Sequence, residues 1–331
     1  TPSTEVLETI AKFKFKNIYV EWSINEKTAM EIAAGASYSG ARTLVTMKQM
    51  GLNVASDPLM CVEYIGVKGG MVVLVADDPG PISSQTEQDT RRFASFSKVP
   101  VFDPSTAQEA YDMVREAFRF SEQYQTPVFL RPTTRVSHGY ASIRVLDPDE
   151  YELHTPEGFV KDSGRWVIFP RLSYANHLKI EKRNEQLSDV LSSWPGNRIE
   201  PEAEGMAAVR RGVATGGISY TYVMEAREKL GLVRTLKVST PFPFPEKKAV
   251  AFLRGLDEVL CVEELDPVIE RELIFLCGKY GLSTRILGKM TGALSYAGEN
   301  TRDSVTDAMA AFLGLDRPER AEGTPPPLPV R

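Results

Sequence analysis

Gly70-Met71-Val72-Val73-Leu74-Val75-Ala76 is a near-continuous apolar run of strand length, the pattern expected where helices cover both faces of a sheet. The pattern alternates around it from residue 5 to about 137. A helix from Thr4 carries Val6, Leu7, Ile10 and Ala11 on one face, and Asn17-Ile18-Tyr19-Val20-Glu21 reads as a short strand. Helix 26–40, strand 43–46 and a helix near Asp57–Ile65 follow. Beyond the central run come Pro100-Val101-Phe102, a long helix over 105–123, and the closing strand Pro127-Val128-Phe129-Leu130-Arg131. Residues 138–187, rich in charges and aromatics with weak periodicity, read as an ordered connector. Alternation then resumes. Stretches 188–193 and 208–215 read as strand-like, Gly216-Gly217 turns into a helix Ser219–Leu230, and Leu236-Lys237-Val238-Ser239 follows. Helix 246–254, strand 259–262 and helix 267–279 complete a second unit ending near 314. The predicted fold is α/β, two doubly wound domains with mostly parallel sheets.

A length of 331 residues fits two domains. Lys+Arg 39 against Asp+Glu 44 gives a net charge of −5, which argues against nucleic acid or an anionic membrane as the main partner. Three scattered cysteines (Cys61, Cys261, Cys277) without a CxxC exclude a zinc knuckle or iron–sulfur ligand set from this chain alone and suit a reducing cytoplasm. The three histidines contain no i,i+4 pair, so no His-based metal site is expected. No apolar run reaches the ~18 residues of a membrane span. Thr1-Pro2-Ser3-Thr4-Glu5 reads as a helix start in which Thr1 caps and Pro2 takes the first helical position. Thr324-Pro325-Pro326-Pro327-Leu328-Pro329 reads as a semi-rigid linker. The two ends together read as those of an interior fragment of a longer polypeptide.

Four places carry candidate chemistry. Ala29, Ala33, Ala36 and Gly40 place small side chains along one ridge of the 26–40 helix, which reads as a close-packing face. Glu26 opens that helix, where either a solvated first-turn carboxylate or a catalytic one fits. Gly80 to Asp89 lies beyond the carboxyl end of the apolar strand, where such sheets bind ligands, and Arg91 and Arg92 follow it. Those arginines suit a carboxylate or phosphate, or else are merely solvated. Gly216-Gly217-Ile218-Ser219 reads as a tight strand-to-helix turn more than a phosphate loop, since it lacks GxGxxG and a Walker lysine. Glu263-Glu264 reads as a solvated pair rather than an acid–base dyad. Residue chemistry alone reaches a ligand-binding α/β protein with a carboxylate candidate at Glu26.

Three segments add a resemblance: Asn25 to Ser37, Thr46 to Met60, and Ala76 to Asp89, with Ala214 to Tyr220 and Val262 to Leu265 in the second unit. Together they resemble the α subunits of indolepyruvate:ferredoxin oxidoreductases, within the thiamine-diphosphate-dependent 2-oxoacid:ferredoxin oxidoreductases. The resemblance covers nearly the whole chain. It implies a pyrimidine-binding domain over 1–140, a connector over 141–187, a transketolase C-terminal-like domain over 188–315 and a Pro-rich linker over 316–331. Glu26 then matches the glutamate that hydrogen-bonds N1′ of the aminopyrimidine and promotes loss of the thiazolium C2 proton. Thr1 and Arg91 match substrate-carboxylate positions, and Lys48, Gly51 and Asn53 belong to a loop of the indolepyruvate branch bordering the cofactor.

The implied reaction is oxidative decarboxylation of arylpyruvates to aryl-acetyl-CoA and CO₂, with coenzyme A as co-substrate. The implied cofactors are thiamine diphosphate with Mg²⁺, and [4Fe-4S] clusters, the metal, diphosphate and clusters being held by domains outside this chain. A β subunit, ferredoxin and a second α chain are the implied partners, with no nucleic acid and no membrane. The piece alone is expected to be inactive. Two other readings remain open: another 2-oxoacid as substrate, or a non-catalytic assembly module with the same fold.

Overall fold

The computed structural model describes residues 3–151, 154–201 and 210–318. In the first half the chain runs α1 (Thr4–Phe13), α2 (Glu26–Tyr38), β1 (Thr43–Lys48), α3 (Gln49–Ile65), β2 (Met71–Ala76), α4 (Thr90–Ser97), β3 (Val101–Phe102), α5 (Ala107–Tyr124), β4 (Val128–Leu130) and a short α6 (Thr134–Ser137). Its four strands lie in the order β1-β2-β4-β3 and are all parallel, with Thr43 opposite Met71 and Val73 opposite Phe129. All six residues of β2 are buried, because helices cover both faces of the sheet. On one face β2 packs under α2 and α3 through Met30, Leu52, Leu59 and Val62, and on the other under α5 through Met113 and Ala117.

The short α7 (Ser163–Trp166) lies within the connector and leads to α8 (Pro170–Ser193). The second half holds β5 (Arg198–Glu200), β6 (Arg211–Thr215), α9 (Ser219–Leu230), β7 (Arg234–Lys237), α10 (Glu246–Leu253), β8 (Glu258–Val262), α11 (Val268–Tyr280), β9 (Arg285–Leu287) and α12 (Arg302–Leu313). Its sheet has the order β5-β7-β6-β8-β9, parallel except for β5, which runs antiparallel to β7. Two mostly parallel α/β sheets are thus the architecture. Among the described residues no helix is long and apolar enough to cross a membrane.

Several expectations are corrected. Residues 17–21 form no strand: Ile18 and Tyr19 are 48% and 80% exposed, and the segment has no ladder partner. Stretch 188–193 is the end of α8, whose buried Ile180, Asn184, Leu187 and Leu191 recur at helical spacing. The helix expected near 57–65 begins at Gln49 and continues through the buried Pro58. The buried stripe of α2 is Met30, Ala33, Ala34 and Ser37; of the small-residue ridge Ala33 and Gly40 are buried and Ala29 packs, partly buried, against the same core. Of the three cysteines Cys61 is exposed, Cys277 partly buried and Cys261 buried. The Pro-rich run at 324–329 lies outside the described residues.

Candidate functional site

Asn25 caps α2, its side chain accepting from the Thr28 amide at 2.9 Å, and this places Glu26 in the first turn. The Glu26 carboxyl is half-buried, and no hydrogen bond or ion pair joins it to another described residue. It lies against the opening turn of α3. A Cβ built on Gly51 would sit 2.7 Å from Glu26 Cγ, 2.8 Å from Oε1 and 2.9 Å from Cδ. Two residues expected at one site are therefore in contact.

The other two residues of that turn point elsewhere. Lys48 Nζ donates to the Ser83 carbonyl at 2.7 Å, and Asn53 donates to the Gln88 side chain at 3.1 Å. Between them Gln49, 2% exposed, donates to the Thr86 carbonyl at 3.0 Å. Gln49 was not legible as a site residue, since nothing in its neighbours marks it as buried. These three ties hold loop 78–89 onto α3. From the other side Asp78 accepts from the Ser83 amide at 2.8 Å and from the Thr134 hydroxyl at 2.7 Å. Burial opposes ionisation there, but these donors hold the Asp78 carboxyl below its usual range. Glu87 accepts from Gly80 at 3.0 Å and from Gly298 at 2.9 Å, reaching the second half of the chain.

Arg91 does not offer its guanidinium to a ligand. It is 2% exposed and each of its guanidinium nitrogens has a protein partner. Nε and Nη2 bind Asp89, Nη1 binds Glu263 at 2.7 Å, and Nη2 also donates to the Glu264 and Asp266 carbonyls. The expected substrate contact is replaced by a tie between the two halves. Thr1 lies outside the described residues.

Glu263 and Glu264 are not a solvated pair either, being 1% and 4% exposed. Glu263 accepts from the Val268, Ile269 and Glu270 amides at 3.0–3.1 Å, so it caps the first turn of α11 while pairing with Arg91. Glu264 accepts from the Asn300 amide at 3.0 Å, and burial pushes its pKa up to about 7.

Alongside, Arg131 binds Asp77 at 2.7 Å and Asp103 at 3.2 Å, all three almost fully buried. Burial would lower the Arg131 pKa, but Asp103 and Asp77 reverse the effect and raise it. Asp77 and Asp103 are in turn held above the usual carboxylate range by burial. The Gly216-Gly217 turn faces this cluster. A Cβ on Gly216 would lie 2.4 Å from the Val238 carbonyl, Gly217 has φ +53°, and its Cβ position is 3.2 Å from Asp103 Oδ1. Beside a carboxylate the turn is structural and not a phosphate cradle. Among the described residues no group of three or more His, Cys, Asp or Glu forms a metal site.

The family model described as "Pyruvate flavodoxin/ferredoxin oxidoreductase, thiamine diP-bdg" matches residues 1–175. The chain is 41% identical over 324 residues to the indolepyruvate oxidoreductase subunit IorA of Pyrococcus abyssi, covering 96% of this chain and 49% of that protein. It thus spans about half the length of the curated relatives it matches. Among solved structures, a 2-oxoglutarate:ferredoxin oxidoreductase from Magnetococcus marinus superposes with TM-score 0.67 at 17% identity, over 94% of this chain and 60% of that one. A split-gene transketolase in an inactive beta4 tetramer superposes with TM-score 0.56 at 17% identity, over 96% and 90%. Taken with the two mostly parallel sheets, the match over residues 1–175 establishes that the chain belongs to the thiamine-diphosphate-binding pyruvate flavodoxin/ferredoxin oxidoreductase family.

Proposed function

We propose that this chain supplies the aminopyrimidine side of a thiamine-diphosphate site in an enzyme that oxidatively decarboxylates arylpyruvates, indolepyruvate among them. In this reading a 2-oxoacid and coenzyme A give aryl-acetyl-CoA and CO₂, and two electrons pass through [4Fe-4S] clusters to ferredoxin. The observation that carries the reading is the half-buried Glu26 carboxyl without a protein partner, packed on the bare backbone of Gly51. That is the donor set an aminopyrimidine needs, a carboxyl poised to share a proton with a ring nitrogen. When bound, thiamine diphosphate supplies the carbanion that attacks the 2-oxoacid carbonyl.

Glu26 would hold the proton at N1′. Lys48, Gln49 and Asn53 would keep loop 78–89 in place beside it, through the ties to Ser83, Thr86 and Gln88. The reading assigns the diphosphate, its Mg²⁺ and the clusters to other parts of the enzyme, which also comprises a β subunit and paired α chains. Likeness to the indolepyruvate relatives supports the aryl substrate, and three free cysteines suit a reducing cytoplasm.

The test uses the assembled enzyme, following CoA-dependent dye reduction with indolepyruvate. Glu26→Ala is expected to lower the rate by about 10²–10⁴, the usual worth of a positioned acid–base group, with the melting temperature unchanged. A wild-type rate in that variant would remove Glu26 from the chemistry. Faster turnover of pyruvate or a branched-chain 2-oxoacid than of arylpyruvates would reassign the substrate.

A further inference from the structure

We infer that Gly51 is a positioning residue for Glu26, acting through the side chain it lacks and not by touching the cofactor. The inference rests on the thiamine reading of Glu26. Gly51 is the third residue of α3 and is buried, in ordinary helical backbone with no positive φ. Nothing in that conformation calls for glycine, and glycine is a poorer helix former than alanine. What calls for it is space. The Cβ of any other residue would lie within 2.7–2.9 Å of Glu26 Cγ, Cδ and Oε1, closer than non-bonded carbon and oxygen approach.

The atoms in the way belong to one flexible side chain, whereas the backbone around Gly51 is packed through Leu52 and Ala55 into the core. An added methyl is therefore accommodated by Glu26 and not by α3. The helix survives, and the carboxyl moves away from the place where it meets the ring nitrogen. Gly51 sets where the Glu26 proton is held, while the neighbouring Lys48, Gln49 and Asn53 hold the loop.

At Gly51 fold stability and catalysis, which usually fall together, come apart. Gly51→Ala should leave the melting temperature of the assembled enzyme unchanged or slightly raised. Its kcat should nevertheless fall by roughly ten- to a hundred-fold, part of the range open to acid–base catalysis, and its affinity for thiamine diphosphate, measured by calorimetric titration of the apoenzyme, should weaken.

The deciding measurement is a cycle in the Glu26→Ala background. If Gly51 acts only through Glu26, then Gly51→Ala costs nothing further there, in either cofactor affinity or rate. An additional loss of thiamine diphosphate affinity in the double variant would overturn the inference and make Gly51 a cofactor contact. A melting temperature that falls for Gly51→Ala in both backgrounds would overturn it in favour of a packing role. Full activity in Gly51→Ala with Glu26→Ala dead sinks this inference alone. Full activity in Glu26→Ala sinks the thiamine reading beneath it.

Discussion

Glu264 sits 4% exposed at the end of β8 with the Asn300 amide as its donor, and burial lifts its pKa from 4.5 to about 7. The folded protein therefore holds this proton more tightly than the unfolded chain does. Between about pH 4.5 and 7 the native state binds more protons, so stability falls as pH rises through that window. Glu264→Gln keeps the acceptor for Asn300 and removes the ionisation. Its melting temperature should match the wild type below about pH 4 and exceed it by pH 8, the gap corresponding to at most roughly 3–4 kcal/mol at 1.36 kcal/mol per pKa unit. Glu63, fully buried against Arg183 and also pushed up to about 7, titrates in both proteins and cancels in the comparison. A gap that stays constant with pH would show that Glu264 is not ionised by folding-linked titration.

One element, the opening turn of α3, faces two ways: Gly51 toward Glu26, and Lys48, Gln49 and Asn53 toward loop 78–89. Gln49→Ala should speed hydrogen exchange of the amides over 80–88 and cost about 0.5–1.5 kcal/mol, the net worth of one hydrogen bond whose acceptor, on the exposed Thr86, water can take over. Unchanged exchange over that loop would mean that Asp78 and Glu87 hold it by themselves.

Much of this architecture was readable in the chain. The apolar run of β2 and the helix start at Glu26 locate the central strand and the candidate carboxylate. The start of α3 was hidden because Gly51 and Pro58 both argue against helix, and tertiary packing outweighs them. The end of α8 was mistaken for a strand because charged residues surround Ile180, Leu187 and Leu191, whose helical spacing becomes plain only over the full 24 residues. Arg91 could not be placed, since a guanidinium for a ligand and one for a buried carboxylate look alike in sequence.

For the whole molecule, the distinctive feature is where the two sheets meet. Asp77, Asp103 and Arg131 follow the carboxyl ends of β2, β3 and β4, and Gly217, Ser239, Glu263 and Glu264 follow those of β6, β7 and β8. Arg91 to Glu263, Asp103 amide to Ser239 carbonyl at 2.8 Å, and buried Lys237 to Glu109 close these edges on one another. Edges that in open α/β sheets hold ligands here hold each other. Arg91→Met would strand Asp89 and Glu263 without their cation, and is expected to cost about 3–5 kcal/mol in denaturant unfolding. A loss below about 1 kcal/mol, the worth of an exposed pair, would show that water reaches these groups.

The seam also changes what the covalent connection between the halves means. Parted, each half would leave carboxylates and guanidinium groups without their counter-charges, and pairs this deeply buried are little weakened by salt. α8 adds a second clasp, with Arg183 on Glu63 of α3 and Ser188 donating to the Phe244 carbonyl ahead of α10 at 2.6 Å. The peptide that joins the halves is thus a tether and not the bond that keeps them together. Severed in the connector, the chain would persist as a self-complementing pair of polypeptides, and the same surfaces would let the two halves find each other if they were made as separate proteins.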